Sequence, residues 1–294
     1  TTSCRRCSSN WRNRKRHLSD AFARNKTCIA GGTFLTGQNP LYLKVMFDYL
    51  ANPSRFLRLS DRLFMPVGVI TCICLAYGLY LGLFASPADY QQGDTVRIIY
   101  IHVPAAWLAL FGYVGLGLCG LFYVVWRHPL ADVALRAMAP VGAVFAMLTL
   151  VTGSLWGKPM WGAWWVWDAR LTSMLILFFF YVAVIALANG FDRVERGSRP
   201  AALLALVGVL NVPIVKFSVD WWNTLHQPAS LIRSGGVSVD PAMLTPLLLM
   251  LGGFHLYFAA VVILRTKTLL IERRITSLQL RQNRTPAPAS ETGQ

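Results

Sequence analysis

The sequence predicts an all-α integral membrane protein of six transmembrane helices, with both termini cytoplasmic and a Trp-rich interfacial segment on the outer, periplasmic face. Three observations carry that prediction. Hydrophobic residues make up 55% of the 294 residues and charged residues only 14%, against roughly 25% charged in soluble domains. The charges crowd the termini and short spacers, leaving uncharged runs of about 20 residues, the length that spans a bilayer. Lys and Arg also fall unevenly on the two sides of those runs. A net charge of +15 would point to nucleic acid in a soluble chain. Basic loops beside a membrane give the same excess, so membrane lipid is the expected partner and nucleic acid is not.

Residues 1–45 are polar and basic, with Asp20 their only acid, Gly31-Gly32 and Asn39-Pro40 as breakers, and no hydrophobic run. They are expected to be a disordered N-terminal extension, either a transit-like presequence or a stretch upstream of a start at Met46. The membrane domain is placed at 46–270 and a cytoplasmic C-terminal tail at 271–294.

Six apolar segments define the membrane domain: 63–84, 98–126, 137–156, 171–190, 201–215 and 241–264. The first is too long and too evenly apolar for a cleaved signal peptide. The fifth is the weakest, being short and carrying Asn211 and Pro213. Orientation follows from the cations near each end. One side carries fifteen: Lys44, Arg55, Arg58, Arg62, Arg127, Arg136, Arg193, Arg196, Arg199, Arg265, Lys267, Arg273, Arg274, Arg281 and Arg284. The other carries five: Arg97, Lys158, Arg170, Lys216 and Arg233. The richer side is the cytoplasmic one, so the loops at 85–97, 157–170 and 216–240 face outward.

The cysteines add little. Cys72, Cys74 and Cys119 lie inside apolar runs, where the thiol behaves as a small hydrophobe, and no disulfide framework is expected. Cys4-Arg5-Arg6-Cys7 has the spacing of a haem-attachment pair, but Ser8 follows where His is needed.

The second outer loop is the singular feature. Trp156, Trp161, Trp164, Trp165 and Trp167 place five of the ten Trp within twelve residues, followed at once by Asp168 and Arg170. An aromatic belt at the membrane surface accounts for one or two Trp at a helix end but not for five. If the stretch is helical, Trp161, Trp164, Trp165 and Asp168 share one face, a flat aromatic platform with a carboxylate at its end. Such a surface suits a large, planar, apolar ligand, and a tetrapyrrole fits better than a sugar or an ion. Lys158 and Arg170 flank it and are placed to meet acidic groups on the ligand's edge, unless they are merely solvated loop charges.

Two of the five His fall on the same outer side. His102 stands at the outer end of the second span, and His226 follows Trp221-Trp222-Asn223-Thr224-Leu225 in the third outer loop. Two imidazoles from separate loops can supply the axial nitrogens of a six-coordinate haem iron. His17 and His128 read as solvated, and His255, inside the sixth span, reads as a neutral side chain bonded to a neighbouring helix before it reads as functional.

Enzymatic motifs are missing. Gly153-Ser154-Leu155-Trp156-Gly157-Lys158-Pro159 is one residue short of a phosphate loop and has Pro where a magnesium-binding hydroxyl belongs. Neither Gly-x-Ser-x-Gly nor His-Glu-x-x-His occurs, so no catalytic residue is assigned and no enzyme is expected.

The stretch Trp161-Gly162-Ala163-Trp164-Trp165-Val166-Trp167-Asp168-Ala169-Arg170 resembles the tryptophan-rich signature of the WWD-domain haem-handling family, in particular its haem exporter C branch in cytochrome c maturation. Pro87-Ala88-Asp89-Tyr90-Gln91-Gln92-Gly93, the run Arg97 to Ala106, Val151-Thr152-Gly153-Ser154 and Trp221 to Gln227 carry the same resemblance, which covers about residues 50–280. It implies that His102 and His226 are axial ligands of a transient, non-covalent haem b. It also implies that the stretch from Trp161 through Trp164, Trp165 and Trp167 to Asp168 forms the haem platform and docking surface, with Trp156 and Arg170 as further haem-binding candidates beside it. The implied partners are a periplasmic haem chaperone (CcmE), the CcmA/CcmB subunits of an ATP-binding cassette transporter and the small single-span CcmD. The implied location is the bacterial inner membrane, or the mitochondrial inner membrane in an organelle. Alternatives are a haem-transporting subunit of the exporter itself, a haem lyase or synthase, and a b-type electron-transfer cytochrome.

Overall fold

The computed structural model describes residues 53–226 and 239–283. The N-terminal extension with Met46, His17, Cys4, Cys7 and Cys28, as well as Gln227, Arg233 and the last eleven residues, lies outside them.

Among the described residues the chain is all-helical. Helix α1 (Pro53–Tyr80) runs on through a π-turn at Leu81–Ala85. A 3-10 turn at Asp94–Ile98 leads into α2 (Ile99–Trp126), followed by α3 (Pro129–Trp161) and α4 (Ala169–Asn189). Then come α5 (Val194–Gly208), α6 (Asn211–Trp221) and α7 (Pro241–Gln282). Six stretches are long and apolar enough to cross a membrane, the fifth being α5 and α6 together. These are the six apolar segments of the sequence, five of them extended by turns that hydropathy does not register and the fourth matched to within two residues at either end.

The helix ends follow local chemistry. Arg127 closes α2 in the left-handed conformation, and Pro129 opens α3 at a position whose N–H has no helical partner in any case. Gly162, at φ 77°, closes α3 with its N–H on the Lys158 carbonyl at 3.0 Å. Asp168 caps α4 by accepting the Leu171 N–H at 2.8 Å. Asp240 does the same for α7 through Ala242, also at 2.8 Å, with Pro241 next.

The weak fifth span is two helices. Val209 and Leu210 donate to carbonyls three residues back, a tightened turn in which Asn211 becomes the first residue of α6. The buried Asn211 amide donates to the Ser173 carbonyl at 2.8 Å, so its polarity serves α4–α6 packing.

The core lies where α2, α3, α4 and α5 meet. Tyr113 and Tyr181 are fully buried and cross edge to face at 4.7 Å, with the Tyr181 hydroxyl donating to the Ala109 carbonyl at 2.8 Å. Small residues Ala201, Ala202 and Ala205 let α5 approach α2 closely, as helices in a bilayer prefer. A second cluster joins Ile99 and Tyr100 of α2 to Leu247 and Met250 of α7.

One end of the bundle is tied by charge. Asp132 is buried and pairs with Arg136 at 3.2 Å and with Arg273 of α7. Arg136 also donates to the carbonyls of Ala188 and Val194 and to the Ser198 hydroxyl, tying α3 to the α4–α5 connection. Helix α7 continues unbroken past residue 270 to Gln282, for 42 residues in all. His255, on the same helix, bonds through Nδ1 to the Leu251 carbonyl one turn back at 2.6 Å, within its own helix and not across to a neighbour.

Candidate functional site

The opposite end gathers the first residues of α2 and α4, the last residues of α3 and α6, and the connection between α1 and α2. The connection is built by short-range bonds. Asp89 accepts the N–H groups of Gln91 and Gln92 at 2.9 and 2.8 Å, while Arg97 pairs with Asp94 at 3.0 Å and reaches the carbonyls of Gly82 and Leu83. Tyr100 meets the Ser86 hydroxyl at 2.5 Å. Gln92 is thereby held over α3, where its Oε1 accepts the Trp156 indole N–H at 2.8 Å.

Trp156 in turn stands edge-on to the buried His102 ring, with centroids 5.6 Å apart. His102 Nδ1 lies 2.9 Å from the Thr152 hydroxyl oxygen, and Thr152 itself donates to the Leu148 carbonyl at 2.7 Å. Glycine at 153 makes room: a β-carbon there would come within 3.2 Å of His102 Cε1.

His226 lies on the far side, beyond the end of α6. Its ring centroid is 6.4 Å from that of His102, with the ring planes 32° apart, and also 6.4 Å from that of Trp161. Arg170 of α4 donates to His226 Nδ1 at 3.2 Å, to the Lys216 carbonyl at 3.1 Å and to the buried Ser218 hydroxyl at 3.3 Å, clamping α6 to α4.

The tryptophans do not share a helical face. Gly162 stops α3 and residues 163–168 run without helix, so the proposed platform face at Trp161, Trp164, Trp165 and Asp168 does not form. Instead the five divide. Trp156 and Trp161 attend the two imidazoles. Trp165 and Trp167 cross edge to face at 5.5 Å and roof an apolar groove lined by Leu150, Val151, Leu155 and Leu175 on α3 and α4. Trp164 is exposed beneath the Lys158 ammonium, 5.8 Å from its ring centroid, and Lys158 also donates to the Gly162 carbonyl. Asp168 caps α4 with one oxygen, while its other oxygen, Oδ2, is buried without a partner, as is Trp165 Nε1.

The donor set restricts what this end can hold. No group of three or more His, Cys, Asp and Glu able to hold a metal occurs among the described residues. Two imidazoles alone make a poor cage for a bare ion but suffice for an iron that brings its own four equatorial nitrogens. With a metal–nitrogen bond of about 2 Å on each side, such an iron sets the ring centroids about 6 Å apart. The 6.4 Å between His102 and His226 fits that span.

Gln92 and Thr152 stand in stretches that carry the family resemblance, but neither they nor Ser218 were given a role at the site by the sequence. Thr152 left a signal: Thr149, Thr152 and Trp156 recur at three- and four-residue steps through an apolar span, a polar stripe on one helical face.

Residues 46–281 match the family model described as Heme exporter protein C. The chain belongs to the haem exporter protein C family. The haem exporter protein C of Bradyrhizobium diazoefficiens is 52% identical over 244 residues, 83% of this chain and 92% of that protein. That of Escherichia coli K12 is 44% identical over 240 residues, 80% of this chain and 97% of that protein. A ccmC-like mitochondrial protein of Marchantia polymorpha is 43% identical over 226 residues, 77% of this chain and 96% of its own length. The haem exporter protein C match takes in every described residue to Arg281, both histidines and the Trp-rich segment included, and leaves out residues 1–45.

Proposed function

We propose that this protein binds haem b non-covalently between His102 and His226 and hands it to a periplasmic haem chaperone of the CcmE kind during c-type cytochrome biogenesis. Membership of the haem exporter protein C family supports haem handling, and the family names point to a maturation protein of the membrane and not to an enzyme. The observation that carries the site is the pair of imidazoles 6.4 Å apart at one end of the bundle, beside Trp156 and Trp161. Trp164, Trp165, Trp167 and Arg170 complete the surface offered to haem and chaperone, with the buried Asp168 beneath them capping α4. The excess of Lys and Arg at the other end supports cytoplasmic termini and a periplasmic site in the inner membrane, with CcmA/CcmB and CcmD as neighbours.

The bound haem supplies the reactive vinyl edge. This chain's residues orient it, exclude water with Trp and hold the iron from both faces, which lowers the entropic cost of the chaperone's reaction. The deciding experiment is an absorption spectrum of the detergent-purified protein given haem, oxidised and reduced, beside the double variant His102→Ala, His226→Ala. A bis-histidine spectrum lost in the variant is the expected result. A wild type with no histidine-ligated spectrum overturns the proposal and favours a protein-docking role for the Trp segment.

A further inference from the structure

The two histidines are held by opposite hydrogen-bond logic. We infer that His102 is the fixed axial ligand, kept ready by Thr152, and that His226 is the releasable one, latched by Arg170 until a carboxylate of the bound tetrapyrrole draws the guanidinium away. This rests on the haem reading above.

Thr152 has one hydroxyl proton, and the Leu148 carbonyl at 2.7 Å takes it. Towards His102 Nδ1, at 2.9 Å, the Thr152 oxygen can then only accept. Nδ1 therefore carries the hydrogen, and the neutral ring keeps its lone pair on Nε2, the arrangement found where an outer partner orients a metal-binding imidazole. The ring has little freedom to leave. It rises from within α2, is buried, and is wedged between Gly153 and the edge of Trp156.

His226 is the reverse case. A guanidinium cannot accept, so in the 3.2 Å bond from Arg170 the acceptor is His226 Nδ1. The neutral ring then bears its hydrogen on Nε2, and neither nitrogen has a lone pair to give to iron. Withdrawal of Arg170 restores one, on Nδ1 directly or on Nε2 once the proton has moved to Nδ1. No oxidant or further reactant is needed. Arg170 is suited to the exchange because its other hydrogen-bond acceptors, the Ser218 hydroxyl and the Lys216 carbonyl, are neutral and a carboxylate outbids them, while Asp168 and Asp220 act on the guanidinium through space and no hydrogen bond joins them to it. His226 itself lies past the last turn of α6 and is only partly buried, its carbonyl accepting from the Thr224 hydroxyl at 3.4 Å, whereas His102 is buried within α2. Binding then proceeds from His102 to His226, and release begins when Arg170 returns to His226, which opens that face of the iron first.

The test compares ferric haem with haem dimethyl ester, which lacks the free carboxylates, on the full-length protein in detergent, read by absorption and electron paramagnetic resonance. The expected result is a six-coordinate low-spin spectrum with haem and a five-coordinate high-spin spectrum with the ester, restored to six-coordinate in Arg170→Leu. A six-coordinate ester complex in the wild type overturns the latch. If haem itself gives no bis-histidine spectrum, the haem reading falls as well, so the two failures are distinct. For His102, Thr152→Val is expected to weaken haem binding about 10-fold and to raise the midpoint potential, with both effects reversed in Thr152→Ser. An unchanged potential in Thr152→Val overturns the positioning role.

Discussion

The indole N–H of Trp156 donates to Gln92 Oε1 at 2.8 Å, joining residues 64 positions apart and fastening the α1–α2 connection to the end of α3 beside His102. This contact places the loop in the architecture of the site, because the same Trp156 ring abuts the imidazole.

Gln92→Leu removes the acceptor while keeping most of the side chain's bulk. The loss of one such hydrogen bond is about 1 kcal/mol, or about fivefold in haem Kd. Haem titration is the measurement, and the helical circular dichroism should stay unchanged.

The division of the tryptophans predicts unequal effects. Trp161→Ala, beside His226, should weaken haem binding and perturb the bis-histidine spectrum. Trp164→Ala, on the exposed side under Lys158, should leave the spectrum intact. Equal spectral damage from both would contradict the arrangement.

Asp132→Asn leaves Arg136 and Arg273 without their counter-charge. Breaking a buried pair in this way costs about 3 kcal/mol, taken at the low end because Arg273 is partly exposed. Thermal unfolding in detergent should show a clear fall in Tm. Asp61→Asn, which breaks the more exposed pair with Lys267, should change stability by less than about 1 kcal/mol.

Gly162→Ala introduces a β-carbon at φ 77°, where no steric neighbour lies within 4 Å but the backbone itself is strained. The expected cost is about 1 kcal/mol, with Gly162→Asn costing less. A larger loss in haem affinity than in Tm would show that the turn aims the segment at 163–168 and does more than close α3.

The six spans were legible because apolar runs of bilayer length leave no other solution. The shared location of His102 and His226 was legible too, since the number of crossings between them fixes their ends. The Trp segment misled because steps of three and four mimic a helical face, while a single glycine with positive φ ends the helix after Trp161. The break at Val209-Leu210 and the extent of α7 escaped for another reason. Hydropathy marks what lipid covers and is blind to where hydrogen bonding begins and ends. Thr152 was passed over because a lone hydroxyl in an apolar span is usually bonded to its own helix. Here it is, and it serves His102 as well.

Helix α7 has a mechanical meaning. At 1.5 Å per residue its 42 residues form a rod about 63 Å long, roughly twice the hydrocarbon thickness. Ile271, Ile275 and Leu278 are exposed near one tip, while Leu247 and Met250, near the other, press on Ile99 and Tyr100, one turn before His102. The hydrogen-bonded rod thus joins the overhang to the turn that carries His102, and Pro246 and Gly252-Gly253, near that far tip, are the places where such a shaft can bend.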